Sequence, residues 1–489
     1  MSDAKRAPSD ANAVGATRRL AQFASSLSFA QLPKEVVSKA KLSILDTLGC
    51  CIFGASLPPV KKLAAMAEAE GCAQSASVFG MPFRTSAALA ALVNGASAHA
   101  FQLDEIHLES TLHPGSLALP ASFALAEADR TVGGRDLITA MVAADEVGIR
   151  VGLAAKGGMF KTGFHNQGTT GVFVAAAAAA RILRLDAHQT QHALGIAGSQ
   201  AAGLMAVQDG AMTKSFHSGR AAQSGVYSAR LAQLGYTGIP DVLEAPYGAF
   251  FSSFVDEWSE PALTAGLGSQ WHTLRIGFKP APAANGSITA MTAIDTIMRE
   301  HGLAASDIET ITAYVSDNTL HHCGWPYEPD RIQSVLSAQM SLRYGVAVMA
   351  LERRNGVAQF HESKIRDPEI LKFIARIHVE HEPKFEGNDG KYRVACRLVA
   401  RCRNGTTHET TVLYRKGSPE DPMTEEQLNE KFRTLTERVG GRRSGQIADL
   451  VSHIEDCENL AELSHLLTID ESTYQPRAGF NPDAPVRSP

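Results

Sequence analysis

The stretch that most limits how this chain can fold is residues 172–180, which reads VFVAAAAAA and carries no polar side chain on any helical face. A membrane span needs about twenty apolar residues, so nine are too few. Such a run reads instead as a helix buried on all sides, and its alanines let neighbouring helices approach closely. The same habit extends from residue 17 to about 238, a region rich in Ala and Leu with apolar residues at helical spacing and Gly or Pro at the breaks. Residues 32–48, 86–100, 134–155, 168–183 and 214–234 each read as one helix.

Composition shifts after about residue 267. There the pattern predicts a helix over 289–301, a strand over 308–316, a helix over 337–351 and a β-hairpin over 392–414 turning at Asn404-Gly405. From 424 to 467 helical periodicity returns, with Glu, Lys and Arg outside and Leu, Phe and Ile inside. The predicted fold class is mainly α with a smaller α+β domain. A large all-helical domain occupies 13–267, the α+β domain 268–418, and a C-terminal segment, 419–470, completes the helical domain. The ends, 2–12 and 471–489, are polar and aperiodic, and are expected to fray or to pack across a neighbour.

A chain of 489 residues is too long for one ordinary core, which agrees with two domains. With 46 Lys+Arg against 51 Asp+Glu, any affinity for anions has to come from a local cluster, and nucleic acid is a poor fit. Residues 1–19 lack the apolar core of a secretory signal, so a cytoplasmic location is expected, with an organellar presequence left open. Seven cysteines without a CxxC pair fit neither a disulfide framework nor a zinc or iron–sulfur site.

Four segments could carry chemistry. The connection 94–115, NGASAHAFQLDEIHLESTLHPG, holds three His and three carboxylates between two apolar helices. Imidazoles beside carboxylates suit proton transfer, although a solvated loop with capping His has the same composition. His99, Asp104, His107 and His113 could ligate a metal, but their spacing matches no metal motif, so no metal is expected. The second segment, GFHNQG at 163–168, puts His165 before a helix start, where free N–H groups favour an anion, or where His165 simply caps. The third opens a long helix with Lys214 and His217 three residues apart and Arg220 a further step along. Cations there oppose the helix dipole unless an anion joins them. In the fourth, Tyr344 lies on an apolar helix and needs a hydroxyl partner, from a site or from the core. The His321-His322-Cys323 run lacks a second ligand pair and reads as a packed loop. No GxGxxG follows a strand and no Walker loop is present, so no cofactor is expected.

In this order the segments resemble the MmgE/PrpD family, which includes 2-methylcitrate dehydratases, cis-aconitate decarboxylases and an iminodisuccinate epimerase. The likeness rests on LDTLG at 45–49, the 94–115 stretch, ALGIAGSQ at 193–200 with GLM at 203–205, and the Lys214 helix. Three further phrases, GLGSxWHT at 266–273, HCGW at 322–325 and QMS at 339–341, lean toward the fungal cis-aconitate decarboxylases. The resemblance implies a homodimer with the α+β domain as a lid. It further implies a cofactor-independent lyase acting on a small di- or tricarboxylate, with catalytic roles for His113, His165, Lys214 and Tyr344. Asp104, His107, Gln102, His217, Asn285 and Ser287 would line the substrate site. Two positions depart from the family pattern: Gln102 stands where an acid is common, and the turn FKPAPAANGSI, 278–288, has no His where relatives carry one. Asn285 and Ser287 either replace that His by hydrogen bonding or mark a changed reaction. Decarboxylation of an aconitate-type acid is the leading expectation. A 2-methylcitrate-type dehydratase, an epimerase of a dicarboxylate and a non-catalytic carboxylate binder are the alternatives.

Overall fold

A computed structural model of the chain describes residues 15–129, 131–387 and 390–469. The two expected frayed ends, 2–12 and 471–489, and the domain limits placed at 13 and 470 lie outside these residues.

The alanine run does form a buried helix, Gly171–Ile182, packed between the longer helices Gly134–Ala154 and Thr213–Gln233. Small side chains set the spacing: a Cβ on Gly225 would lie 2.4 Å from the Ala175 carbonyl carbon. A second close crossing matters more for the site. The helix Ala87–His99 meets Thr213–Gln233 so tightly that a Cβ on Gly219 would come 2.1 Å from the Leu92 carbonyl oxygen. That contact sets the C-terminal end of one helix, bearing His99, beside the first turns of the other, bearing Lys214 and His217.

Helices return after the smaller domain, and Phe432, Ile447, Ile454 and Leu463 sit in the same core as the first 260 residues. Glu425–Leu435 packs on Lys34–Gly54. Its Lys431 lies 2.6 Å from Asp46 Oδ1 and donates to the Leu103 carbonyl at 2.6 Å, pinning the 100–114 connection from behind.

A short ladder pairs β1 (Ala76–Ser77) with β2 (Arg84–Thr85). The second core lies under a four-stranded sheet of β3 (Ile308–Val315), β4 (Ile377–His381), β5 (Cys396–Cys402) and β6 (Thr407–Val412), in the order β4-β3-β5-β6. β3 pairs parallel with β4 and antiparallel with β5, and β5 pairs antiparallel with β6. The helix Asn285–Glu300 packs against β5 and β6 and on Leu342–Glu352, burying Ile288, Met291 and Ile294.

The fold is thus mainly helical with a smaller α+β part, and it differs from the sequence reading in three places. β4 was not expected, because an edge strand reading IHVEH buries little and shows no apolar alternation. The helix expected over 337–351 is two, Val335–Gln339 and Leu342–Glu352, broken where the Ser341 hydroxyl accepts from the Tyr344 amide at 3.1 Å and caps the second. The helix expected from 289 begins at Asn285, which places Asn285 and Ser287 in its first turn.

Candidate active site

The helical domain gathers one compact polar cluster. His99, the last residue of its helix, brings Nδ1 within 2.8 Å of Asp104 Oδ2, and its Nε2 lies 3.2 Å from Lys214 Nζ. His113 Nδ1 stands 3.2 Å from the same Asp104 oxygen, and the two imidazoles meet edge to face with centroids 4.7 Å apart. His165 stacks obliquely at 5.6 Å from His99, and its Nδ1 lies 3.0 Å from His217 Nδ1. Sequence positions 99 to 217 therefore converge on one carboxylate. Gln167 fixes the near wall: its Oε1 accepts from the His113 amide at 2.8 Å, while Nε2 donates to Ser116 Oγ at 2.9 Å. The connection carrying these groups is bent sharply, with both Gln102 (φ 58°) and Thr111 (φ 56°) left-handed, a conformation that non-glycine residues hold only where the surroundings impose it.

Lys279, from the departing 278–288 turn, completes the cluster. It is buried, donates to the Gln102 carbonyl at 3.1 Å, and feels the charges of Asp104 and Lys214. Gln102 thus serves through its backbone. Arg393, also from the smaller domain, donates to Leu108 O and Thr111 Oγ1. Among the described residues, none of Lys214, Lys279 and Arg393 has a carboxylate within ion-pair distance. Burial drives Lys214 down to about 8 and Lys279 to about 7, Asp104 opposing the fall in both. Burial also lowers Arg393, to about 10. The histidines are driven further: burial pushes His99 to about 3 and His217 to about 4, lowers His113, and takes His165 well down. Burial alone would raise Asp104, but the facing His113 and His99 outweigh it and hold the carboxyl well below its ordinary value. The groups poised near neutral pH are therefore the lysines, whereas the sequence reading assigned that role to the histidines.

His99, Asp104 and His113 offer three ligand atoms within 4.8 Å of one another, a spacing a metal ion could use. The Lys214 ammonium beside His99 puts a positive charge where a dication would sit, so the set fits a metal poorly.

Of the expected residues, His113, His165, Lys214, Asp104 and His217 come together. Asn285 and Ser287 lie in the first turn of a helix of the smaller domain, Asn285 Oδ1 and Ser287 Oγ both buried without a partner. His107 does not join the cluster: its Nδ1 pairs with Ser110 Oγ at 3.0 Å and its ring meets His272 edge to face. Tyr344 is not brought there either. Its hydroxyl donates to the Gln359 carbonyl at 2.7 Å and its ring packs against Tyr327 and Phe360, because the apolar helix face carries it into the second core. Sequence reasoning missed three groups. His99 was weighed with the other histidines of its connection and as a metal ligand but given no site role, Lys279 was quoted without a role, and His322 was taken for packing although the charges of Lys214 and Lys279 reach it.

Comparison with known proteins agrees with this arrangement. The MmgE/PrpD N-terminal domain profile matches residues 18–260 and the MmgE/PrpD C-terminal domain profile residues 282–456. The cis-aconitate decarboxylase of Aspergillus terreus is 32% identical over 478 residues, covering 94% of this chain and 97% of its own length. The human cis-aconitate decarboxylase is 28% identical over 471 residues, covering 94% and 95%. A match along both halves of the chain, which together gather this polar cluster from separate segments, gives one conclusion: the chain belongs to the MmgE/PrpD family of lyases.

Proposed function

We propose that this lyase decarboxylates an aconitate-type tricarboxylate without a cofactor. The observation that carries the reading is the charge imbalance of the site: the buried Lys214 and Lys279 lie near one carboxylate, Asp104, and neither they nor the half-buried Arg393 against the 100–114 connection has an ion-pair partner among the described residues. Unpaired buried charge is costly, and a ligand with several carboxylates removes the cost. The names of the relatives at about 30% identity point to the same substrate class.

In this reading Lys214 and Lys279 hold substrate carboxylates, and His165 with His217 forms the neighbouring wall. The bond from carbon to the departing carboxylate breaks heterolytically. Its electron pair forms a new double bond to the neighbouring carbon, the pair of the old double bond shifts to the far carbon, and a proton is delivered there as carbon dioxide leaves. His113 delivers that proton. Its imidazolium is disfavoured in the empty site, but negative charge on the bound substrate raises its affinity for a proton, and Asp104 at 3.2 Å balances the charge. The proton is thus taken up with the substrate. Tyr344, bonded to Gln359, has no part. Two stretches of exposed apolar side chains, Leu204 with Met212 before the lysine helix and Leu234 with Tyr236 and Tyr247 after it, support a homodimer, which sedimentation can check.

The test is a panel of cis- and trans-aconitate, 2-methylcitrate, citrate and iminodisuccinate in deuterium oxide, followed by NMR. Loss of carbon dioxide from cis-aconitate, with one deuteron placed on carbon, is the expected result. Dehydration of 2-methylcitrate, or exchange without loss of carbon, would replace the decarboxylase reading.

A further inference from the structure

The smaller domain presents near this cluster an imidazole with one ring nitrogen unpartnered. His322 lies near the end of the helix Asp317–Cys323, and its Nδ1 is buried without a hydrogen-bond partner. Its ring meets Phe160 of the helical domain edge to face, centroids 5.3 Å apart, just ahead of the segment that carries His165. It therefore stands at the seam between the two parts of the chain. The next residue, Cys323, rests against Ser287, and Thr319 of the same helix touches Gly286, so His322 is tied to the first turn that holds Asn285 and Ser287. Burial and the charges of Lys214, Lys279 and Arg393 push His322 to about 3, so it is neutral and carries one N–H.

A buried polar atom without a partner costs free energy, and in a native structure it calls for a reason. Packing does not supply one here, since an apolar side chain would fill the space against Phe160 without the penalty. A ligand does. We propose that His322 is a substrate-binding residue whose Nδ1–H donates to a carboxylate of the bound acid from the side of the smaller domain. The assignment rests on the polycarboxylate reading above and adds to it the residue by which the smaller domain senses that the site is filled.

Propane-1,2,3-tricarboxylate, which has no double bond to react, serves as the probe. Its binding to the full chain is measured by calorimetry, and the thermal midpoint is recorded with and without it, for the wild type, His322→Ala and His322→Asn. A lost hydrogen bond to a charged group corresponds to about tenfold or more in Kd. His322→Ala is expected to show that loss, while its unliganded midpoint falls only by what the ring contact with Phe160 contributes, because Nδ1 has no bond to lose in the empty protein. His322→Asn, which keeps an N–H at similar reach, is expected to recover most of the affinity. An unchanged Kd in His322→Ala, with or without a lowered midpoint, overturns the proposal. Absence of binding by the wild type brings down the polycarboxylate reading itself, so the two failures are told apart.

Discussion

The helical wall of the site and the lid wall differ in one physical respect. His99, Asp104, His165, Lys214 and His217 engage one another at 2.8 to 3.2 Å before any substrate arrives. His322 Nδ1, Asn285 Oδ1 and Ser287 Oγ are buried without a hydrogen-bond partner and sit outside any such network, whereas on the helical wall Asp104 Oδ1 and His113 Nδ1 are left without one inside it. A network satisfied in advance holds its geometry and suits chemistry, whereas orphaned atoms are satisfied only when a ligand supplies their partners. Under the proposed function the helical wall, which holds Asp104 and Lys214, serves proton transfer and charge, and the lid wall serves recognition.

The sharpest way to break that division is at His113. Replacing it by Ala is expected to cut turnover by about a hundredfold or more while leaving the thermal midpoint nearly unchanged. Retained turnover would move the proton donor elsewhere. Lys214→Met comes next: the Michaelis constant is expected to rise by about tenfold or more, and an unchanged value would remove the anchor.

The pH dependence sharpens the comparison without mutation. Lys214 near 8 and Lys279 near 7 bind carboxylates only when protonated, so kcat/KM should fall as pH rises through 7 to 8, and substrate binding should take up protons. Calorimetry in buffers of different ionisation enthalpy measures that uptake, and none at pH 8 would contradict the scheme. The stability of the empty protein should move the other way over part of this range. Both lysines have folded values below their ordinary 10.5, so the unfolded chain holds more protons between about 7 and 10.5 and their contribution to stability rises with pH there.

Smaller effects test the edges. Ser287→Ala in the lid should weaken tricarboxylate binding by about threefold and leave turnover at saturation unaltered; a large loss of turnover would place the lid in the chemistry. Tyr344→Phe removes the bond to Gln359 and should cost about 1 kcal/mol of stability with activity within twofold, so a collapse of turnover would restore Tyr344 to the site.

Much of this was legible in the chain itself. The alanine run at 172–180 dictates close-packed helices, since nothing on any face of it can be left in water. The 94–115 and 163–168 segments and the Lys214 helix announced their chemistry by placing His, Lys and carboxylates at connections and helix starts. Placement was not legible where local pattern gives no direction. His107 and His113 look alike in sequence, yet one turns to Ser110 and the other to Asp104. Tyr344 was expected at the site and His322 in a packed loop, yet the Tyr344 hydroxyl meets a carbonyl and His322 Nδ1 meets no partner, because what a polar side chain on an apolar element meets depends on what packs over it.

The sequence by itself determined the helical class, the α+β insertion and the residue types available for chemistry, because periodicity and turn residues act over a few positions. Only the tertiary structure decided which of them meet. The crossing at Gly219 joins His99 to Lys214 across 115 positions, and the return of Lys431 to Asp46 across 385 closes the connection from behind. Such contacts, with the burial that moves the lysines toward neutrality, belong to no local stretch of chain.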